Sequence, residues 1–278
     1  MMDYHEDHEE EYEDFYDEEI LEDSEEYNDE GGTAILNTKS YWPKVGNFVI
    51  IPYYVNLKSG ISKERKRRIE AALRRIASRT CIRFKKAKGH EKNFIEFISP
   101  DKNTCSSPVG MNPNKPNQIK LYNKRSGCFK IGTILHETIH SLGFGHMHKH
   151  TSRDKYVKIY LENIKEPRQK SYYLHSADAY TNFDTKYDFF SIMHYGPGSK
   201  EAPKMRPKRK YLFYAKYMGQ RNRMSDGDVE RINKMYQCDK KYWSGAPDDY
   251  NDVSISENES SESYEEEETE EEESDEDE

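Results

Sequence analysis

The sequence predicts one α+β domain, a sheet with helices packed on one side, lying between two acidic ends. Three features lead there. Residues 1–40 hold 17 Asp and Glu and one Lys, and residues 243–278 hold 18 with no Lys or Arg. Like-charged runs of low hydrophobicity cannot bury enough apolar surface to offset chain entropy. Both ends therefore read as non-globular, and about 200 of the 278 residues remain, enough for one domain with a sizeable core. Within that remainder β-rich runs alternate with two long stretches whose apolar residues recur at helical spacing. Strands and a helix followed by a second helix imply layers. The predicted organisation is an acidic, mostly disordered segment over 1–40, a folded domain over 41–240 and an acidic disordered tail over 241–278.

Taken in order, the domain opens at Tyr41-Trp42-Pro43. Phe48–Val55, FVIIPYYV, is β-rich, and Pro52, having no N–H to give a ladder, predicts an edge or a bulge there. Residues 62–79 read as a long helix. Ser62 is its cap, although Arg65 stands where a capping-box acid would be. Ile61, Ile69, Ala72, Leu73 and Ile76 form its buried stripe, and its Lys/Arg run reads as a solvated face. Residues 82–84 and 94–98 read as strands, 112–117 with Pro113 and Pro116 as a loop, and 118–122 as another short strand. Ile131, Ile134, Leu135, Ile139 and Leu142 make the stripe of a second helix, with Thr133 as its N-cap. Beyond it regular structure thins out. Residues 154–164 offer a short strand or turn, 165–190 loop with a little helix, and 199–217 a basic loop. Ser225-Asp226-Gly227-Asp228 caps a last helix over 229–236, with Val229, Ile232 and Met235 facing inward.

The net charge of −9 hides a split. Between residues 41 and 242, 42 Lys and Arg against 17 Asp and Glu leave the domain at +25. Such a surface attracts polyanions, whether acidic substrates, glycosaminoglycans or nucleic acid, and contact with a polyanion through the basic core is an expectation. Four cysteines, Cys81, Cys105, Cys128 and Cys238, contain no C-x-x-C pair, which argues against a zinc ribbon. Their even number suggests two disulfides and an oxidising compartment, with three pairings open. A secreted or extracellular setting is expected, although MMDYHEDHEEEYEDF lacks the basic and apolar regions of a signal peptide. No stretch is long and apolar enough to span a membrane, and no feature specifies an oligomer.

The chemistry is concentrated in GTILHETIHSLGFGHMHKH, residues 132–150. His136 and His140 are four apart, one turn of a helix, on one face. Two imidazoles so placed can grip one Zn²⁺ at ~2.0–2.1 Å. Glu137 lies beside them as a candidate base. Gly143 can take φ > 0 and end the helix, which lets the chain return His146 as a third ligand. Three protein ligands leave a position for water, the mark of a catalytic site. His148 and His150 flank the site and are not assigned to the metal.

This stretch, together with Ser191-Ile192-Met193-His194-Tyr195-Gly196 further on, resembles the metzincins, and within them the astacin family of zinc endopeptidases. Tyr41-Trp42-Pro43, Cys105-Ser106-Ser107-Pro108-Val109-Gly110, Arg153-Asp154-Lys155-Tyr156-Val157, Gly219-Gln220-Arg221 and the run from Ser225 to Cys238 match in order, so the resemblance covers residues 41–240. It implies a metzincin-like, two-lobed fold: a twisted mixed sheet with two long helices above a cleft, and an irregular lower lobe with a C-terminal helix. It implies one Zn²⁺ on His136, His140 and His146, Glu137 as general base, and Met193 as an apolar floor in a Met-turn. Tyr195 resembles the tyrosine that steadies the transition state. Ser106, Ser107, Val109 and Gly110 correspond to the edge strand on which substrate lies. The family's disulfides fall on Cys81–Cys238 and Cys105–Cys128. The implied activity is hydrolysis of internal peptide bonds in proteins or peptides.

The chain also departs from that pattern. Met147 stands where the family has a Glu that anchors the freed N-terminus. The propeptide aspartate motif is missing; Asp23 and Asp29 are the nearest candidates in a segment that would be a propeptide remnant. Gly32-Thr33-Ala34-Ile35 sits where a maturation junction would fall. The 111–117 loop lacks the family's glycines. These departures keep open a second reading, a catalytically inactive domain of this type that binds a protein or polyanionic partner. They also keep open a third, a basic polyanion-binding protein.

Overall fold

A computed structural model describes residues 33–176 and 178–242. Asp23, Asp29 and both acidic ends as predicted, apart from residues 33–40 and 241–242, lie outside the described residues. The folded region starts upstream of Tyr41. Strand β1 (Ala34–Ile35) is buried, and its pairing carries the chain into the domain several residues before the aromatic run that sequence alone marks as the start.

The main sheet is mixed and six-stranded. After β2 (Lys44–Val45) comes β3 (Phe48–Val55). Then follow α1 (Lys63–Arg79), β4 (Ile82–Lys86), β5 (Ile95–Ile98), β6 (Cys105–Ser106) and β7 (Asn117–Leu121). The order is β2-β3-β5-β7-β6, with β4 on the other side of β3. β3 runs parallel to β4 and β5, β5 parallel to β7, while β2 and β6 are antiparallel to their neighbours.

β3 has β4 on one side and β2 and β5 in succession on the other, so the edge expected at Pro52 is a local one within an interior strand. Val49 donates its N–H to Cys81 O and Tyr53 O accepts from Ala87 N, so odd residues of β3 bond towards β4. Pro52 faces the other way, where β2 pairing stops at Val49 and β5 pairing starts at Tyr53. The missing N–H falls in a gap between two partners.

Alternate residues of the strands are buried: Val49 and Ile51, Ile95 and Phe97, Ile119 and Leu121. This is one face of a pleated sheet turned to a core. α1 covers that face with Ile69, Ala72, Leu73 and Ile76, all in the same cluster. Ser62 caps α1, its Oγ accepting from Arg65 N at 3.2 Å. The second long helix, α2 (Ile131–Ser141), packs on α1, β6 and β7.

After α2 the chain forms short pieces: β8 (Val157–Ile159), α3 (Glu166–Gln169), β9 (Tyr180–Thr181) and β10 (Met205–Pro207). β8 pairs with β10 and β1 with β9, each antiparallel. The basic 199–217 segment is not all loop, since β10 leads into a 3-10 helix at Arg209–Tyr217. Their core is separate: Met147, Val157, Ile164, Tyr172, Tyr187, Phe189, Met205 and Met218. Helix α4 (Asp226–Met235) returns to the first core, with a complete Ser225/Asp228 capping box and Val229, Ile232 and Met235 buried. Both disulfides form as the resemblance implied, and no described cysteine is free. Cys81–Cys238 ties the end of α4 to the start of β4, and Cys105–Cys128 ties β6 to the turn before α2. Among the described residues no helix is long and apolar enough to cross a membrane.

Candidate metal centre

Helix α2 is buried along almost its whole length. It begins at Ile131 after a 3-10 turn at Ser126–Phe129. Lys130 is the N-cap, without a side-chain cap bond, so Thr133 lies inside the helix rather than at its cap. Tertiary contact sets this start. Gly132 lies so close to the Arg221 backbone that a Cβ would stand 1.5 Å from its carbonyl oxygen. The helix ends as predicted at Gly143, with φ +108°. Gly143 N–H donates to His140 O at 2.7 Å and Phe144 N–H to Ile139 O at 3.3 Å, the paired bonds of a Schellman cap.

That cap turns His146 back onto the helix. The three Nε2 atoms of His136, His140 and His146 stand 3.1, 3.1 and 3.3 Å apart. Ligand nitrogens on a tetrahedral zinc at ~2.05 Å would be about 3.3 Å apart, so the triangle has the size of a metal's face. The rings are at most 1% exposed, and three imidazole nitrogens converging without an acid between them suit a divalent ion. His136 Nδ1 contacts Ile192 O at 2.8 Å and His140 Nδ1 contacts Phe144 O at 2.7 Å. Those carbonyls can only accept, so each Nδ1 carries the proton and each Nε2 keeps its lone pair for a metal. Among the described residues these are the one group of three or more able to hold an ion.

Glu137 follows His136 on α2 and is 1% exposed. Tyr195 packs its ring on His146, centroids 4.2 Å apart, and on His148 at 4.1 Å. Met193 is buried, and its carbonyl accepts from Met147 N at 2.8 Å. Thus the SIMHYG turn meets the helix motif at both the first ligand and the residue after the third. Ser106 and Ser107 are buried; β6 ends the sheet order; Gly110 N–H donates to His140 O at 2.9 Å. The 106–110 run therefore lies along α2 beside the second ligand. His148 and His150 do not join the three-histidine group, turning their Nε2 atoms to Ser171 O and Thr185 O. Burial pushes the His148 imidazole well below the usual range and brings His150 and His194 down to about 4.

Four residues that hold the site escaped notice as functional. Asn117 Nδ2 donates to Gly110 O and Ser141 Oγ, joining the 106–110 run to α2. Trp42 Nε1 donates to Ser141 O at 2.8 Å. Asp228 and Arg231 of α4 brace the 191–193 turn. Asp228 was visible only as a helix-cap acid; nothing local announces its second task.

Fold and site together define a metal-binding domain in which a helix and its return loop bring three histidines to one point. Comparison with known proteins sharpens the class. The model of the Astacin peptidase family matches residues 35–237. High choriolytic enzyme 2 of Oryzias latipes is 37% identical over 200 residues, 71% of this chain and 68% of that protein. Zinc metalloproteinase nas-4 of Caenorhabditis elegans is 31% identical over 214 residues, 77% and 64% of the two chains. The solved structure of high choriolytic enzyme 1, a hatching enzyme zinc-protease from Oryzias latipes, superposes with a TM-score of 0.66 at 33% identity, covering 75% of this chain and all of that one. The chain belongs to the astacin family. It is a zinc-dependent endopeptidase with the α+β metzincin-like fold, acting on protein or peptide substrates.

Proposed function

We propose that this chain cleaves internal peptide bonds with Glu137 as general base, and that His136, His140 and His146 hold the zinc. The observation that carries the reading is the triangle of three Nε2 atoms 3.1–3.3 Å apart with Glu137 in the same helical turn. Zinc held by these three histidines would supply Lewis acidity, which brings the pKa of water towards ~7. Glu137 takes the proton as the water oxygen bonds to the carbonyl carbon. It then delivers that proton to the amide nitrogen as the C–N bond breaks. Tyr195 donates its hydroxyl to the carbonyl oxygen as charge develops there, and Met193 gives the histidines an apolar floor. An extended substrate pairs with the outer side of the 106–110 run, through Ser106, Ser107, Val109 and Gly110.

The segment after Tyr195 supports a preference for acidic residues beyond the scissile bond. Lys204 and Met205 both donate N–H to Pro197 O, so the basic strand begins close to that tyrosine. Lys200, Lys204, Arg206, Lys208, Arg209 and Lys210 line this segment, with Glu201 its only acid. A peptide-library profile enriched in Asp and Glu on that side is the expected outcome. Two disulfides favour action in an oxidising, extracellular setting. Polyanion contact through the +25 domain belongs to the same proposal, and heparin retention that weakens with salt tests it.

The deciding assay is phenanthroline inhibition of casein cleavage. Activity falls to background on chelation and returns with Zn²⁺. A protein that binds heparin or a protein partner but cleaves nothing before chelation would instead be the inactive binding domain.

A further inference from the structure

We propose that the buried Asp228–Arg231 pair of α4 is a positioning device that sets zinc affinity from outside the ligand set. The inference rests on the three-histidine zinc reading above. Asp228 is 2% exposed. Its Oδ1 accepts from Ser191 Oγ at 2.6 Å, and its Oδ2 accepts from Ile192 N at 2.8 Å and Ser225 N at 2.9 Å. Arg231 closes the arrangement: its guanidinium pairs with the Asp228 carboxylate, donates to Ser191 Oγ at 3.1 Å, and sends Nη1 to Met147 Sδ at 3.4 Å. Ser191 Oγ in turn accepts from Met193 N at 3.0 Å.

What these bonds hold matters more than their number. The Ile192 carbonyl is the acceptor for His136 Nδ1. The Met193 carbonyl is the acceptor for the N–H of Met147, next to His146. One carboxylate therefore fixes the turn whose two successive carbonyls orient the first ligand and the residue beside the third. Arg231 touches the side chain of that same residue. Helix α4 contributes no ligand, yet one ligand and the neighbour of another lean on it through a single ion pair. Partners that orient a ligating histidine commonly change metal affinity 10–100-fold when lost.

Asp228→Asn separates this role from bulk stability. An amide can no longer accept from all the donors now aimed at both oxygens, and one of its own N–H groups must face a donor. Arg231 also loses its paired carboxylate, leaving Asp188 as the acid that still faces it. The expected result is zinc affinity about 10–100-fold weaker, read by titrating apo-protein against a chromophoric zinc chelator. Ser191→Ala removes one link of the same chain with little threat to folding, and should weaken zinc several-fold. Asp226→Ala is the control. It breaks the pairing of α4 with Arg79 without touching the 191–193 turn, so it should lower the thermal midpoint and leave zinc affinity alone. The inference is overturned if Asp228→Asn and Ser191→Ala both bind zinc within twofold of the parent, or if Asp226→Ala weakens it as much. Failure of the parent itself to take up zinc would overturn the metal reading instead.

Discussion

Between Phe48 and Leu142 the buried side chains are mostly Val, Ile, Leu and Phe, set on paired strands and two long helices. Between Met147 and Met218 they are mostly Met, Tyr and Phe, with Val157, Ile164 and buried histidines among them, on short strands and 3-10 turns. The first region is held by apolar area, which is non-directional and tolerant. The second is held by ring contacts such as Tyr156–Tyr187 and by directional bonds such as Tyr187 Oη to His194 Nε2 at 2.6 Å. The zinc motif straddles the two. His136, Glu137 and His140 sit on the rigid side, while His146 and Tyr195 come from the side where each bond matters singly. The difference teaches that the domain separates a scaffold built for stability from a region built for placement.

Glu137→Ala should have the largest effect. Peptide cleavage is expected to fall by ~10²–10⁴ with near-unchanged circular dichroism, since the change removes chemistry from the stable side and leaves its packing. Wild-type rates would sink the base assignment. The two cores can then be compared directly. Phe97→Ala, fully buried in β5, should cost ~3–5 kcal/mol by cavity formation, whereas Tyr187→Phe should cost ~1–3 kcal/mol by orphaning a buried acceptor. Equal losses in urea unfolding would break the contrast.

Acid should attack the second region first. His150 and His194 are held neutral by burial, their folded values of about 4 lying below the unfolded ~6.5. Between those values the unfolded chain binds more protons, so their stabilising contribution is whole above ~6.5 and is lost as pH falls towards about 4. Each group contributes at most about 1.4 kcal/mol per pH unit in that window. Hydrogen exchange should rise around 150–194 before the sheet opens; simultaneous opening would argue for one undivided unit. The smallest effect is within the scaffold: Ser62→Ala should cost ~0.5–2 kcal/mol through loss of the α1 cap, with catalysis unaltered.

What could be read in advance follows the same division. The stripe Ile69, Ala72, Leu73, Ile76 and the capping Ser62 were legible because helical period and capping are local. His136, His140 and His146 were legible because helix pitch and Gly143 bring them together within one short stretch. Pro52 was legible as a place without a partner on one side, but not as a gap between two partners of an interior strand, and the Thr133 cap failed where the Arg221 backbone lies against Gly132. Trp42, Asn117 and Arg231 act on residues 99, 24 and 84 positions away, separations over which periodicity is silent. The two-residue strands carry too few residues to print a period at all, and the 3-10 helix at Arg209–Tyr217 turns every three residues, a period that the 3.6-residue template does not match.

The chain enters the domain through a seam with the loop that presents the third ligand. Ile35 N–H reaches Gly143 O, and Gly145 N–H reaches Thr33 O, both at 3.0 Å. Thr33 Oγ1 also donates to Asn182 beside β9. Thr33 and Ile35 are thereby tied within a few residues of His146. A nick ahead of the seam leaves that histidine's support whole, whereas one just inside it would slacken the metal site while the sheet stayed folded.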